Sequence, residues 1–223
     1  KTMKILLSII LLSLSTLSLA DDQKKNNMMM FSMFTNPAGQ DMKEMEAFLL
    51  KSANDNEERG YNRCGVYKHR RVGSSRSAYM YCYFNDYNQW AKIEDIRDSE
   101  GGTAVNKQMF SDHTDHLLSI AESNLKPNPK YALLVRTTFG PYLTGNERSQ
   151  KAKQFFDYYE NSFGGCNLME HLWGPEIGYY TVCGFENYKE FAKAMEIFNQ
   201  SDILEQKLDI LEHSDEILIR VDN

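Results

Sequence analysis

Hydrophobic and polar residues alternate along this chain in two registers, and the order in which the registers appear repeats. Met28 to Thr35 (MMMFSMFT) is an almost unbroken apolar run stopped by Asn36-Pro37, which predicts a buried strand. From Gln40 to Asn54 the apolar residues Met42, Met45, Phe48, Leu49 and Ala53 recur at helical spacing, and Gly60 supplies a stop. Arg63 to Val72 and Ser77 to Asn85 then alternate with period two about the turn Val72-Gly73-Ser74-Ser75, the pattern of a hairpin. A helix follows from Tyr87 through Ile96, broken at Gly101-Gly102, with a further helical turn over Ala104 to Phe110. His116 to Glu122 is a last strand.

The second half predicts the same order. Tyr131 to Phe139 is a strand, Arg148 to Phe163 a helix closed by Gly164-Gly165, and Cys166 to Trp173 with Gly178 to Phe185 a hairpin. Helices over Tyr188 to Phe198 and Ile203 to Leu211 and a strand over Glu216 to Val221 complete it.

The residues echo one another as well as the pattern. CYFNDYNQWAK at residues 82–92 returns as CGFENYKEFAK at residues 183–193, an offset of 101. Cys64 with His69 returns as Cys166 with His171, and His113-Thr114-Asp115 as His213-Ser214-Asp215, at offsets of 102 and 100. Three echoes in one order predict a duplicated unit of about 100 residues. The expected organisation is a lead-in at residues 21–27, a first repeat at residues 28–124, a linker at residues 125–130 stiffened by Pro127 and Pro129, and a second repeat at residues 131–223. Each repeat reads as β-α-β-β-α-β, the ferredoxin-like unit of an α+β fold. Its sheet has a second apolar face that helices do not cover. Two such antiparallel sheets facing each other as an intrachain α/β barrel would bury it.

Residues 1–20 carry Lys1 and Lys4, an apolar run from Ile5 to Leu12, and small residues at Ser18 and Ala20, the pattern of a signal peptide. Export to the periplasm or the extracellular space is therefore expected, with no stable membrane insertion after cleavage. Removal of residues 1–20 moves the net charge from −6 to −8, because it takes two lysines and no acid. An acidic chain lacks the basic footprint that nucleic acid calls for, so no nucleic-acid partner is expected.

Export permits disulfides. Cys64 and Cys82 are symmetric about Gly73, and Cys166 and Cys183 about Gly174-Pro175. Antiparallel strands would set each pair directly cross-strand, within disulfide reach. The expected bridges are Cys64–Cys82 and Cys166–Cys183.

The duplicated unit, together with Phe185-Glu186-Asn187-Tyr188, Phe191-Ala192 and Ser201-Asp202, resembles the dimeric α/β-barrel superfamily in a tandem form over residues 28–223. That resemblance implies activities ranging from cofactor-free monooxygenases and isomerases to haem enzymes such as chlorite dismutase, alongside members without known activity. Fold alone does not choose among them.

Strand alternation separates two faces of the first hairpin. Cys64, Val66, Met80, Cys82 and Phe84 share one, and Gly65, Tyr67, His69, Tyr79, Tyr81 and Tyr83 the other. His171, Trp173 and Tyr180 fall on the matching face of the second hairpin. An aromatic face with one histidine per half has the composition of a small-molecule pocket, and equally of a barrel core. His113, His116 and His213 are weaker candidates for holding a metal or haem. A turn before the last strand is the favoured reading of the two His-Thr/Ser-Asp segments. No P-loop, nucleophile elbow, His-Glu-x-x-His or dinucleotide fingerprint occurs. The sequence thus points to a module that binds a small molecule or a protein partner without a cofactor. A cofactor-free monooxygenase-like or haem-binding enzyme is the alternative.

Overall fold

The computed structural model describes residues 26–73, 76–101, 109–175 and 177–222. The expected signal peptide, most of the lead-in and most of the Ala104–Phe110 turn lie outside the described residues. In chain order the elements are β1 (Met28–Thr35), α1 (Met42–Arg59), β2 (Arg63–Arg71), β3 (Ser77–Phe84), α2 (Tyr87–Ser99) and β4 (Asp112–Ser123). Then come β5 (Tyr131–Phe139), α3 (Gly145–Phe163), β6 (Cys166–Trp173), β7 (Tyr179–Phe185), α4 (Tyr188–Asn199), a 3-10 turn (Ile203–Glu205) and β8 (Ile210–Arg220).

The helices start where polar caps satisfy their first N–H groups. The Asp41 side chain accepts from the Lys43 N–H, Asp86 from Gln89, and Asn187 from Lys189 and Glu190. Thr144 and Glu147 form a reciprocal capping box that starts α3 a turn earlier than the apolar spacing predicts. Gly60, at φ 122°, ends α1 in a conformation that disfavours other residues. Met45, Leu49 and Ala53 recur every four residues on α1 and are buried, which seats that helix on the sheet.

The eight strands close into one antiparallel barrel in the order β1-β3-β2-β8-β5-β7-β6-β4. Two four-stranded runs, β4-β1-β3-β2 and β8-β5-β7-β6, therefore meet edge to edge. One seam pairs β2 with β8, setting His69 opposite Leu218; the other pairs β4 with β6, setting Leu118 opposite His171. Closure leaves no open sheet edge.

Among the described residues the core consists of three large apolar clusters and a small fourth one around Phe139, Ala152 and Tyr179. One lies between α1, α2 and the barrel and includes Leu49, Val66, Cys82 and Phe84. A second lies under α3 and α4 and includes Phe155, Phe156, Cys183 and Phe185. The third is the barrel interior, with Phe31, Tyr67, Tyr79, Tyr81, Tyr83 and Tyr180. The cysteine face thus looks toward the helices and the tyrosine face toward the barrel axis. Cys64 pairs with Cys82 and Cys166 with Cys183 at directly opposed strand positions, and both pairs are bonded. Two disulfides accord with an oxidising compartment. Among the described residues no helix is long and apolar enough to cross a membrane.

Two local expectations fail. The predicted helix over Ile203 to Leu211 is only the 3-10 turn, after which Gln206 is extended and Asp209 takes a left-handed φ of 56°. A right-handed helix cannot pass through that conformation. The predicted turns at His113 and His213 are strand: β4 begins at Asp112 and β8 at Ile210. These strand ends are mostly solvent-exposed, so they carry polar residues on both faces and give no alternating signal.

Candidate functional site

Three places bring chemistry-bearing side chains together: the barrel interior, its mouth at the hairpin turns, and a cleft outside the barrel. Inside, Tyr67, Tyr79, Tyr81 and Tyr83 are all buried. Phe31 stacks on Tyr79 at 5.6 Å between centroids, and Tyr81 meets Tyr83 edge-on at 5.4 Å. Burial is the main cause that pushes their phenols up, to about 12 for Tyr81 and further for Tyr67 and Tyr79. These residues are therefore neutral hydrogen-bonding groups at physiological pH. The rings leave a cavity of about 40 Å³, room for a few water molecules.

At the mouth, two corresponding sets of side chains face each other. Glu216 on β8 accepts from the Tyr79 hydroxyl, and its other oxygen lies 2.8 Å from His69 Nδ1. In the corresponding place on the other seam, the Tyr180 hydroxyl lies 3.4 Å from His116 Nδ1, and the His116 and His171 rings are 6.4 Å apart. The same topological position holds a carboxylate in one set and an imidazole in the other. Glu216 is buried, and burial raises its carboxyl above the ordinary range although Tyr79, His69 and Arg136 pull the other way. A space of about 190 Å³ beside Glu216 is bounded by Ser77, Tyr79, Arg136 and Tyr180.

Of the sequence-derived pocket residues, the structure gathers His69, Tyr79, Tyr180 and His171 at the mouth and Tyr67, Tyr81 and Tyr83 deeper in. Trp173 stands apart, 65% exposed at the hairpin tip, where its indole N–H donates to the Tyr87 hydroxyl. Arg136 carries no signal in the sequence, whereas Glu216 stands where the first half has His116, a mismatch between the repeats that marks an asymmetric site.

The histidines beside β4 and β8 divide. His113 and His116 are three residues apart on a strand, so their side chains leave opposite faces and cannot share an ion. Among the described residues no group of three or more His, Cys, Asp or Glu is placed to hold a metal ion. Residues i and i+2 do share a face, and His113 Nε2 lies 2.9 Å from Asp115 while His213 Nε2 lies 3.1 Å from Asp215. The Asp215 carboxylate beside it raises the His213 imidazole pKa. For Asp115, burial alone would raise the carboxyl, and bonds from His113 and Ser32 bring it below the ordinary range.

His213 and Asp215 stand in the wall of a cleft of about 600 Å³ between α3, α4, the 3-10 turn and β8. Phe155, Tyr159, Met195, Phe198, Ile203 and Leu208 give it an apolar lining. The Phe155 ring meets the His213 ring edge-on at 5.9 Å. Gln206, Lys207 and Asp209 join His213 and Asp215 as its polar members, and a cleft of this size with apolar walls and convergent polar groups is typical of small-molecule sites. The corresponding space in the first half, beside His113 and Asp115, is about 230 Å³ and holds Arg59 and Arg97.

No family model and no curated protein matches the chain. Solved structures do resemble it. A candidate monooxygenase from Fusobacterium nucleatum subsp. nucleatum superposes with a TM-score of 0.61 at 11% identity, over 87% of this chain and 92% of that one. An anthrone oxidase-like protein gives 0.55 at 9% identity, over 89% and 93%. Chlorite dismutase from Candidatus Nitrospira defluvii, in complex with imidazole, gives 0.53 at 8% identity, over 87% and 92%. At these identities the likeness is one of fold: an eight-stranded antiparallel barrel flanked by helices.

Proposed function

We propose that the protein binds one largely apolar small molecule of cofactor or drug size in the cleft between α3, α4 and β8, with His213 and Asp215 as its polar anchor. The observation that carries this reading is the contrast in space. The cleft offers about 600 Å³ while the tyrosine-filled interior leaves about 40 Å³. The matching strand orders of the two halves support two tandem ferredoxin-like repeats, of which the second carries the ligand. The two disulfides support an exported protein.

A second reading, haem as the ligand, is favoured by the His213–Asp215 pair. An imidazole beside a carboxylate in an aromatic cleft is a donor set that would suit haem iron. His213 would hold the iron and Asp215 would orient the ring; haem, when bound, supplies redox chemistry at iron.

Two titrations test both readings. Nile red should bind with one-to-one stoichiometry and gain fluorescence, and Met195→Trp, which fills the cleft, should abolish that gain. Binding that survives Met195→Trp unchanged sinks the cleft reading. Haem addition should give a Soret band that Met195→Trp and His213→Ala both weaken. No band, with Nile red still bound, leaves a ligand other than haem.

A further inference from the structure

The end of the barrel away from the hairpin turns holds a cation with no counter-charge among the described residues. Arg63 opens β2 there, and its guanidinium carbon lies 5.1 Å from the centre of the Tyr83 ring. The Arg63 Nε is buried and has no hydrogen-bond partner. Among the described residues no ion pair involves Arg63. Glu57, the acid that acts on Tyr81 through space, is committed to the Cys64 backbone N–H at 2.6 Å. Arg220, a second cation at this end, donates to Asp222 at 2.6 Å and to the Asn128 carbonyl. Arg63 as a whole is half-buried; a guanidinium does not escape such burial by losing its proton, and a partly desolvated charge without a counter-charge is costly.

The surroundings of Arg63 supply further donors. Asn167, buried on β6, accepts from the Leu125 N–H through Oδ1 at 2.9 Å, which fixes the orientation of its amide. Its Nδ2 is thereby turned toward the Tyr83 hydroxyl, 3.5 Å away. The Tyr81 hydroxyl lies over Gly65, where a Cβ would overlap it. Arg63, Asn167, Tyr81 and Tyr83 all border the cavity of about 40 Å³, and the linker closes it with Leu125 and Pro129. Met29, Ala132, Met169 and Val182 are among its apolar walls.

We infer that this cavity is a binding site for one small monovalent anion of halide or nitrate size, held by the Arg63 guanidinium and the Asn167, Tyr81 and Tyr83 donors. The volume suits one such ion or a few waters. Apolar walls strengthen attraction to the guanidinium and penalise strongly hydrated, divalent anions. The site is independent of the α3–α4 cleft, since the two share no lining residue.

The test is thermal unfolding of the full-length protein at constant ionic strength, with sodium bromide or nitrate replacing sodium sulfate. Bromide and nitrate should give a saturable rise in melting temperature that sulfate does not, since a ligand bound only by the folded state stabilises it. Arg63→Met should abolish the rise. Tyr83→Phe, which keeps the charge and removes one donor, should weaken binding roughly tenfold. Equal effects of bromide and sulfate, or an undiminished rise in Arg63→Met, overturn the inference. Should Arg63→Met fail to fold, chloride-35 line broadening by the wild-type protein decides. Excess broadening that bromide displaces supports the site, and its absence overturns it.

Discussion

Glu216 on β8 and His69 on β2 meet across one of the two seams that close the barrel, with Oε1 2.8 Å from Nδ1. Each residue comes from a different half of the chain. Burial lifts the Glu216 carboxyl above its ordinary range, so the folded state holds that proton more tightly than the unfolded chain does. The contribution is fully present below the ordinary glutamate value and is lost as pH rises through the raised one. Glu216→Gln removes the titration. Urea unfolding at stepped pH should show the wild type losing stability relative to Glu216→Gln from about pH 4 upward. A constant gap between the two proteins across that range would falsify the assignment.

The disulfides should carry a large share of stability. Cys64–Cys82 and Cys166–Cys183 close loops of 18 and 17 residues in sequence separation. On the chain-entropy model each is worth about 3 kcal/mol. Cys82 and Cys183 are also fully buried, so Cys82→Ser or Cys183→Ser would add the cost of a buried hydroxyl. Calorimetry should show each single variant melting roughly 6–12 °C lower, and the reduced wild type, which loses both bridges, roughly 12–24 °C lower. Identical melting with and without reductant would refute a stabilising role.

These bridges were legible in the sequence because a hairpin is a local object. A turn at Gly73 and period-two alternation suffice to set Cys64 against Cys82 and Tyr67 against Tyr79, and the structure has both pairs in register. The seams were not legible. Glu216 meets His69 only because β8 pairs with β2 across a sequence separation of 147 residues, and no local pattern encodes that. The α3–α4 cleft escaped notice for another reason. It opens where the expected helix over Ile203 to Leu211 gives way to a short 3-10 turn and Asp209 turns left-handed. The apolar residues there have helical spacing, yet Ile203, Leu208 and Ile210 line a space instead of packing as one helical face.

His213 offers a pH test of the cleft wall. The Asp215 carboxylate 3.1 Å away raises the imidazole pKa, partly offset by burial. The stability from this pair is fully present below the ordinary histidine value, about 6.5, and disappears as pH rises through the raised one. Proton NMR titration should place His213 above that ordinary value in the wild type and lower in Asp215→Asn. A midpoint indifferent to Asp215→Asn would show that the pair does not form in solution. The imidazole would then lack the orientation the ligand reading gives it.

The connection between the halves is tested at Gly184 on β7. A Cβ built there would come within 2.8 Å of Leu125 Cδ1 and of Pro129 Cβ and Cγ, so the linker lies directly on the glycine. Leu125 also bonds Asn167 through its N–H, and the Pro129 carbonyl accepts from the Tyr67 hydroxyl at 2.8 Å. The linker is thus fixed on both sides and cannot yield to an added methyl without breaking one of these bonds. Gly184→Ala should therefore destabilise by about 1–3 kcal/mol, the usual cost of overpacking. It should also speed proteolytic cleavage between residues 124 and 130 under native conditions, because a lifted linker exposes its backbone. Gly164→Ala serves as the contrast. No atom lies within 4 Å of a Cβ there, so its cost comes from the left-handed φ of 67° alone. It should lower stability and leave linker cleavage slow relative to Gly184→Ala at matched stability. Equal cleavage in the two variants would mean that the linker is held by global stability and not by its seat on Gly184.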